Sequence, residues 1–116
     1  MNERDILFVL RPGFSDRGIR WFCPYSAQVM GFLGYYPDVR ASLDVREIDF
    51  PKPRRPIVEL LGDEELAAPL LVLAEGAEPA EVADVAIRRA GGRAFIEKTM
   101  EILRYLAATR GVPAPH

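Results

Sequence analysis

The chain opens with a continuous apolar run, Ile6-Leu7-Phe8-Val9-Leu10, which Arg11-Pro12-Gly13 cuts off. Such a run, with no polar alternation, predicts a strand covered on both faces of a sheet. Residues 14–20 are polar, rich in Gly, Ser and Asp, and read as a loop. Over 24–36 the period lengthens: Val29, Met30 and Leu33 fall on one face of a helix that Pro37 stops. Residues 45–50 alternate, Val45, Glu47 and Asp49 against Arg46, Ile48 and Phe50, which predicts a second strand. Pro51, Pro53 and Pro56 forbid a strand or mid-helix in their segment, but Pro56 suits the opening of a short helix. Its stripe is Ile57, Leu60 and Leu61, closed by Gly62.

Pro69-Leu70-Leu71-Val72-Leu73 predicts a third buried strand with a proline at its entry. The alanine-rich stretch 79–90, bounded by Glu78-Pro79 and Gly91-Gly92, sets Val82, Val85, Ala86 and Arg89 on one face and reads as a helix. Residues 93–96 give a fourth, brief strand. Thr99, Ile102, Leu103 and Leu106 mark the clearest amphipathic helix, 98–109. These elements predict an α/β domain over 1–110, followed by a flexible tail over 111–116. Its centre is a four-stranded mixed sheet flanked by helices, with an extra helix between the last two strands.

Composition narrows the function classes. A length of 116 residues suits one domain. The formal net charge of −2 lacks the basic excess that a nucleic-acid partner demands. No stretch approaches the roughly 18 uninterrupted apolar residues that a membrane-crossing helix needs. The charged start Met1-Asn2-Glu3-Arg4-Asp5 is unlike a signal peptide, so the expected setting is cytoplasmic. Cys23 is the one cysteine, which excludes an internal disulfide, a CxxC pair and a Cys/His zinc cluster. No metal site is expected, and Cys23 is either a packing residue or a reactive thiol.

Cys23-Pro24-Tyr25-Ser26 opens the first predicted helix and Pro69 the third strand. This arrangement resembles the thioredoxin superfamily, and within it the glutaredoxins and the amino-terminal domains of glutathione transferases. Glutaredoxins carry Cys-Pro-Tyr-Cys or a single-thiol variant ending in Ser, which the motif here matches. The resemblance implies a thioredoxin-like fold in which Pro69, preceded by Ala68, is cis and faces the cysteine. It also implies a basic residue three places before the cysteine, where Arg20 stands. The segment from Glu97 to Leu106 resembles the Glu-Ser-x-x-Ile-x-x-Tyr-Leu end of transferase domains, whose Glu-Ser pair binds the γ-glutamyl group of glutathione. Glu97 matches and Lys98 replaces the Ser. Three segments, Phe8-Val9-Leu10-Arg11-Pro12-Gly13-Phe14, 44–51 and 111–116, together resemble a bacterial family of thioredoxin-like proteins. That family is catalogued as domain of unknown function 3088 and carries no assigned activity.

A thiol attacks only as thiolate, and a helix amino terminus offers unpaired N–H groups and partial positive charge to an anion. Cys23 falls at that position, and Pro24 occupies the first turn, where a missing N–H costs nothing. Ser26, three residues on, brings both its hydroxyl and its backbone N–H towards the sulfur. The catalytic candidates are therefore Cys23 and Ser26; the substrate-binding candidates are Arg20, Pro24, Tyr25, Ala68, Pro69 and Glu97. With Ser26 in the resolving place, a mixed disulfide must be released by an outside thiol such as glutathione.

The expected function is single-thiol disulfide exchange, making the chain a glutathione-dependent oxidoreductase, or glutathione binding through Cys23. The expected partner is glutathione or a protein bearing a thiol or disulfide, with no covalently bound cofactor. The first alternative is a non-catalytic interaction module that uses Trp21, Phe22 and the 79–90 helix. A weaker one is iron–sulfur cluster handling, whose usual single-thiol motif has Gly where Pro24 stands. Arg20, Lys52, Arg54 and Arg55 read as a solvated basic loop or as holders of glutathione carboxylates, and Arg20 adds charge stabilisation to the sulfur if its loop folds over the site.

Overall fold

The computed structural model describes residues 3–116. Met1 and Asn2, part of the charged start read above, lie outside the described residues. Alternation along β1 (Asp5–Leu10) decides which side of the sheet each residue serves. Leu7 and Val9 enter one apolar cluster, whereas Ile6, Phe8 and Leu10 enter the other. Both faces are therefore covered, as the unbroken apolar run requires. Two short strands follow, β2 (Phe14–Asp16) and β3 (Ile19–Trp21), then α1 (Pro24–Tyr35) and α2 (Pro37–Ala41). After β4 (Leu43–Ile48) and α3 (Arg55–Leu61) come β5 (Leu70–Val72), β6 (Arg88–Ala90), β7 (Arg93–Ile96) and α4 (Thr99–Arg110).

The main sheet has five strands in the order β4-β1-β5-β7-β6. β1 runs parallel to β4, pairing Asp5 with Leu43 through to Leu10 with Ile48, while the β1–β5, β5–β7 and β7–β6 pairs are antiparallel. Helices α1 and α4 supply Val29, Phe32, Leu33, Ile102 and Leu106 to the cluster on one face. Helix α3 supplies Ile57 and Leu61 to the other. The result is a mixed sheet between two helical layers. No helix among the described residues is long and apolar enough to cross a membrane.

The sheet has five strands, and the extra helix over 79–90 is absent: the segment is irregular and ends in the edge strand β6. Its apolar side is too thin to drive a helix against the core. Val82, Val85 and Ile87 pack individually on the α4 side, and Asp84 turns through a left-handed conformation at φ +62°. Two N–H groups of the segment are satisfied by side chains of α4. Ala80 N–H donates to the Tyr105 hydroxyl at 3.2 Å, and Ala86 N–H donates to the Glu101 carboxylate at 2.7 Å. Gly91-Gly92 is the two-residue turn of the β6–β7 hairpin, both residues at positive φ. A side chain at position 91 would meet the Leu60 carbonyl oxygen at 3.0 Å, so the hairpin end passes tightly over α3.

The 14–20 loop is also structured: β2 and β3 pair antiparallel as a separate two-stranded sheet. At the other end of the chain, Val112 N–H donates to Ala107 O at 3.1 Å and the Val112 side chain packs against the core.

Candidate functional site

Cys23 is the N-cap of α1. Its backbone is extended (φ −80°, ψ 115°), Pro24 follows at the first helical position, and its carbonyl accepts from Ala27 N–H at 3.0 Å. The Ser26 N–H donates to Cys23 Sγ at 3.3 Å, so the sulfur takes the capping role that Ser, Thr or Asp usually fills. An amide donor aimed at sulfur stabilises thiolate more than thiol, and the partial positive charge of the helix start acts in the same sense. The sulfur-bearing side chain is half-buried against the apolar cluster that contains Phe8 and Leu10.

Ser26 is used twice. Its N–H serves the sulfur, while its buried hydroxyl accepts from Leu10 N–H at 3.1 Å. That second bond ties the first turn of α1 to the end of β1, which fixes the place of Cys23 relative to the sheet.

The positive charge near the sulfur comes from Arg54. It is only 8% exposed, and its Nε donates to Phe50 O at 3.0 Å. The guanidinium lies 5.8 Å from the Phe50 ring centroid, and Phe50 stacks on Phe14 with ring centroids 4.4 Å apart. Burial pulls the Arg54 guanidinium below the ordinary arginine value, and charge on Cys23 opposes that shift. Among the described residues Arg54 has no carboxylate partner within 4 Å. Its neighbours differ. Lys52 Nζ donates to Glu65 O at 3.0 Å, and Arg55 pairs with Glu59 at 3.6 Å.

A groove of about 540 Å³ brings together Tyr25, Ala68, Pro69 and Glu97, with Lys98 and Met100 on the α4 side. The Ala68–Pro69 bond is cis, and Ala68 packs against the same cluster as Cys23. Glu97 is not free within this groove: its carboxylate accepts from Arg88 of β6 at 2.6 Å. Arg88 in turn lies 5.4 Å from the ring centroid of Phe95, its partner in the β6–β7 register. Arg20 belongs to a different surface, on β3, where its Nε donates to Gly13 O at 3.4 Å. Among the described residues no group of three or more His, Cys, Asp or Glu is placed to hold a metal ion.

Sequence reasoning placed the cation on Arg20 and grouped Arg54 with a solvated loop. One signal was available. Arg54 is the N-cap of α3, where a cation opposes the helix dipole and makes no side-chain cap bond. A residue that breaks a local rule marks a place where something else holds it. Arg88 carried no such signal, because its partner Glu97 is reached only through the β6–β7 hairpin.

No curated protein and no solved structure matches the chain. Residues 4–114 match the family described as Protein of unknown function (DUF3088), and the chain belongs to that family.

Proposed function

We propose that this chain is a thioredoxin-like, glutaredoxin-related protein that carries out single-thiol disulfide exchange at Cys23, with glutathione as the outside thiol. The observation that carries the reading is the sulfur itself. It caps α1 and accepts from Ser26 N–H at 3.3 Å, and its charge acts on the buried Arg54. The sheet supports it as well. A parallel β1–β4 pair followed by antiparallel β1–β5 and β5–β7 pairs, with cis Pro69 at the entry to β5, is the arrangement that the thioredoxin resemblance implies.

The chemistry balances without a second protein thiol. The Cys23 thiolate attacks the glutathione sulfur of a mixed disulfide RS–SG; that S–S bond breaks, Cys23–S–SG forms, and RS⁻ leaves and takes a proton from water. A glutathione thiolate then attacks the Cys23-bound disulfide, releasing glutathione disulfide and restoring the Cys23 thiolate. The net reaction is RS–SG plus one glutathione thiol giving RSH and glutathione disulfide: the R sulfur is reduced, the incoming glutathione sulfur is oxidised, and the other glutathionyl unit passes from one disulfide to the next. Ser26 takes part through its N–H and by anchoring the turn. Tyr25, Ala68 and Pro69 wall the groove in which a peptide-like glutathionyl group would lie.

The test is glutathione-coupled reduction of a small glutathione mixed disulfide by the wild-type chain and by Cys23→Ser. Turnover by the wild type alone is the expected result. Equal, negligible rates would reject exchange and favour the interaction module, which draws support from the exposed Trp21, Phe22 and Tyr25 around the cysteine.

A further inference from the structure

The β2–β3 hairpin has an apolar side that the chain leaves largely uncovered. In its register Phe14 faces Trp21 and Asp16 faces Ile19, so these four side chains share one side, and Ser15 and Arg20 share the other. On the apolar side only Phe14 finds an aromatic partner, Phe50. Ile19 is 54% exposed and Trp21 48%, and Phe22, next in the chain, is 62% exposed. The Trp21 ring is fixed on the hairpin itself: its Nε1–H donates to Asp16 O across the pair at 3.1 Å. Fixed, exposed indole surface beside two further apolar side chains is the composition of a binding patch.

The backbone is equally incomplete. The hairpin is a sheet of two strands, three residues each, so each strand has hydrogen-bonding groups along an outer edge that no third strand covers. Two-stranded ribbons gain stability when a third strand joins. The charge pattern says what kind of strand. The chain as a whole is acidic, with 17 Asp and Glu against 15 Lys and Arg. The hairpin reverses that balance, carrying Arg17 and Arg20 against Asp16 alone. Neither arginine has a carboxylate partner within 4 Å among the described residues, whereas Arg11, just before the hairpin, pairs with Asp49.

From this juxtaposition of open strand edge, exposed Ile19 and Trp21, and unpaired Arg17 and Arg20, we propose that the hairpin docks an extended segment of another protein in which acidic and apolar residues alternate. The segment adds as a third strand, setting its apolar residues against Ile19 and Trp21 and its carboxylates towards the arginines. The proposal goes beyond thiol exchange and does not require it.

Trp21 is the chain's one tryptophan, so its fluorescence reports from the docking surface alone. The full chain is titrated with a blocked peptide of alternating Glu and Val, and with a Lys/Val peptide of the same length. A saturable blue shift with the acidic peptide only is expected. Arg17→Asn combined with Arg20→Gln should weaken binding about tenfold, two exposed charge pairs being worth that much together. Asn suits the left-handed backbone at position 17 (φ +54°), and far-UV circular dichroism checks that the double variant stays folded. An acidic peptide N-methylated on alternate residues, which cannot donate along one edge, should bind at least as weakly. Equal response to both charges, undiminished binding of the N-methylated peptide, or no saturable response would overturn the proposal. So would a shift that grows with protein concentration in the absence of peptide, which would make a second copy the occupant.

Discussion

Two helices begin beside the same groove, and their first turns are built differently. At α1 the cap is the Cys23 sulfur, served by the Ser26 N–H, with no acidic residue in the first turn and Arg54 close by as an uncompensated cation. At α4 the N-cap is Lys98, which makes no side-chain cap bond, and the preceding Glu97 is already held by Arg88. One start presents a half-buried sulfur that serves as the helix cap; the other has its carboxylate committed. Under the proposed exchange with glutathione, the first start would serve the ligand's sulfur, whereas the carboxylate that would receive the charged end of a γ-glutamyl group is already satisfied within the protein.

The largest effect should come from removing the sulfur. After incubation with glutathione disulfide, intact-mass measurement of the wild type is expected to find one added glutathionyl group, and Cys23→Ser none. Modification of the variant would place the reaction outside α1 and dissolve the contrast between the two helix starts. Next in size is Ser26→Ala. It leaves the buried Leu10 N–H without its acceptor, so the unfolding free energy should drop by about 1–3 kcal/mol in chemical denaturation. Glutathionylation of folded Ser26→Ala should persist, because the donor to sulfur is backbone. Loss of the reaction with stability unchanged would give the hydroxyl a chemical role.

Much of this contrast could be read before any coordinates. Apolar runs at 6–10 and 69–73 placed the buried strands, and the step from Cys23 to Pro24 placed the start of α1. What escaped depended on pairing rather than on periodicity. The second strand was displaced by two residues, because its limits follow the β1 register from Leu43 to Ile48 and not its own alternation. The β2–β3 hairpin stayed hidden because its two-residue turn is Arg17-Gly18, both at positive φ, where Asn or Asp before the glycine would have announced it. Gly91-Gly92 was visible but ambiguous, since the same pair closes a helix or turns a hairpin; the thin apolar side of 79–90 was the argument for the hairpin. Arg54 shows the limit most clearly. Three cations lie within 52–55, and beyond the N-cap position of Arg54 it is tertiary packing against Phe50 that distinguishes the buried one from its paired neighbours.

That distinction has its own test. With Arg54→Met, the rate of iodoacetamide alkylation at pH 7 should fall by about a few-fold, because the buried cation that interacts with the Cys23 charge is removed. Arg54→Lys should recover part of the rate, whereas Arg55→Met, on a solvated ion pair, should leave it unchanged. The Met variant should unfold within about 1 kcal/mol of the wild type, because the lost Phe50 hydrogen bond is offset by relief of a buried charge. A rate unchanged in Arg54→Met would leave the helix start as the sole support of the sulfur.

The smallest effect lies at the other helix. Arg88→Gln releases Glu97 from a 2.6 Å charge-assisted bond and turns its carboxylate back to the groove beside Tyr25 and Pro69. Because the pair is partly exposed, its release changes local energetics by well under 1 kcal/mol, and glutathione binding by calorimetry should tighten only about threefold. Adding Glu97→Gln should return the affinity to the wild-type level or below, since the gained contact is a carboxylate facing the ligand's ammonium group. If Arg88→Gln weakens binding instead, Arg88 itself faces the ligand. The α4 half would then select an anion, and the two helix starts would be alike in charge preference rather than opposed.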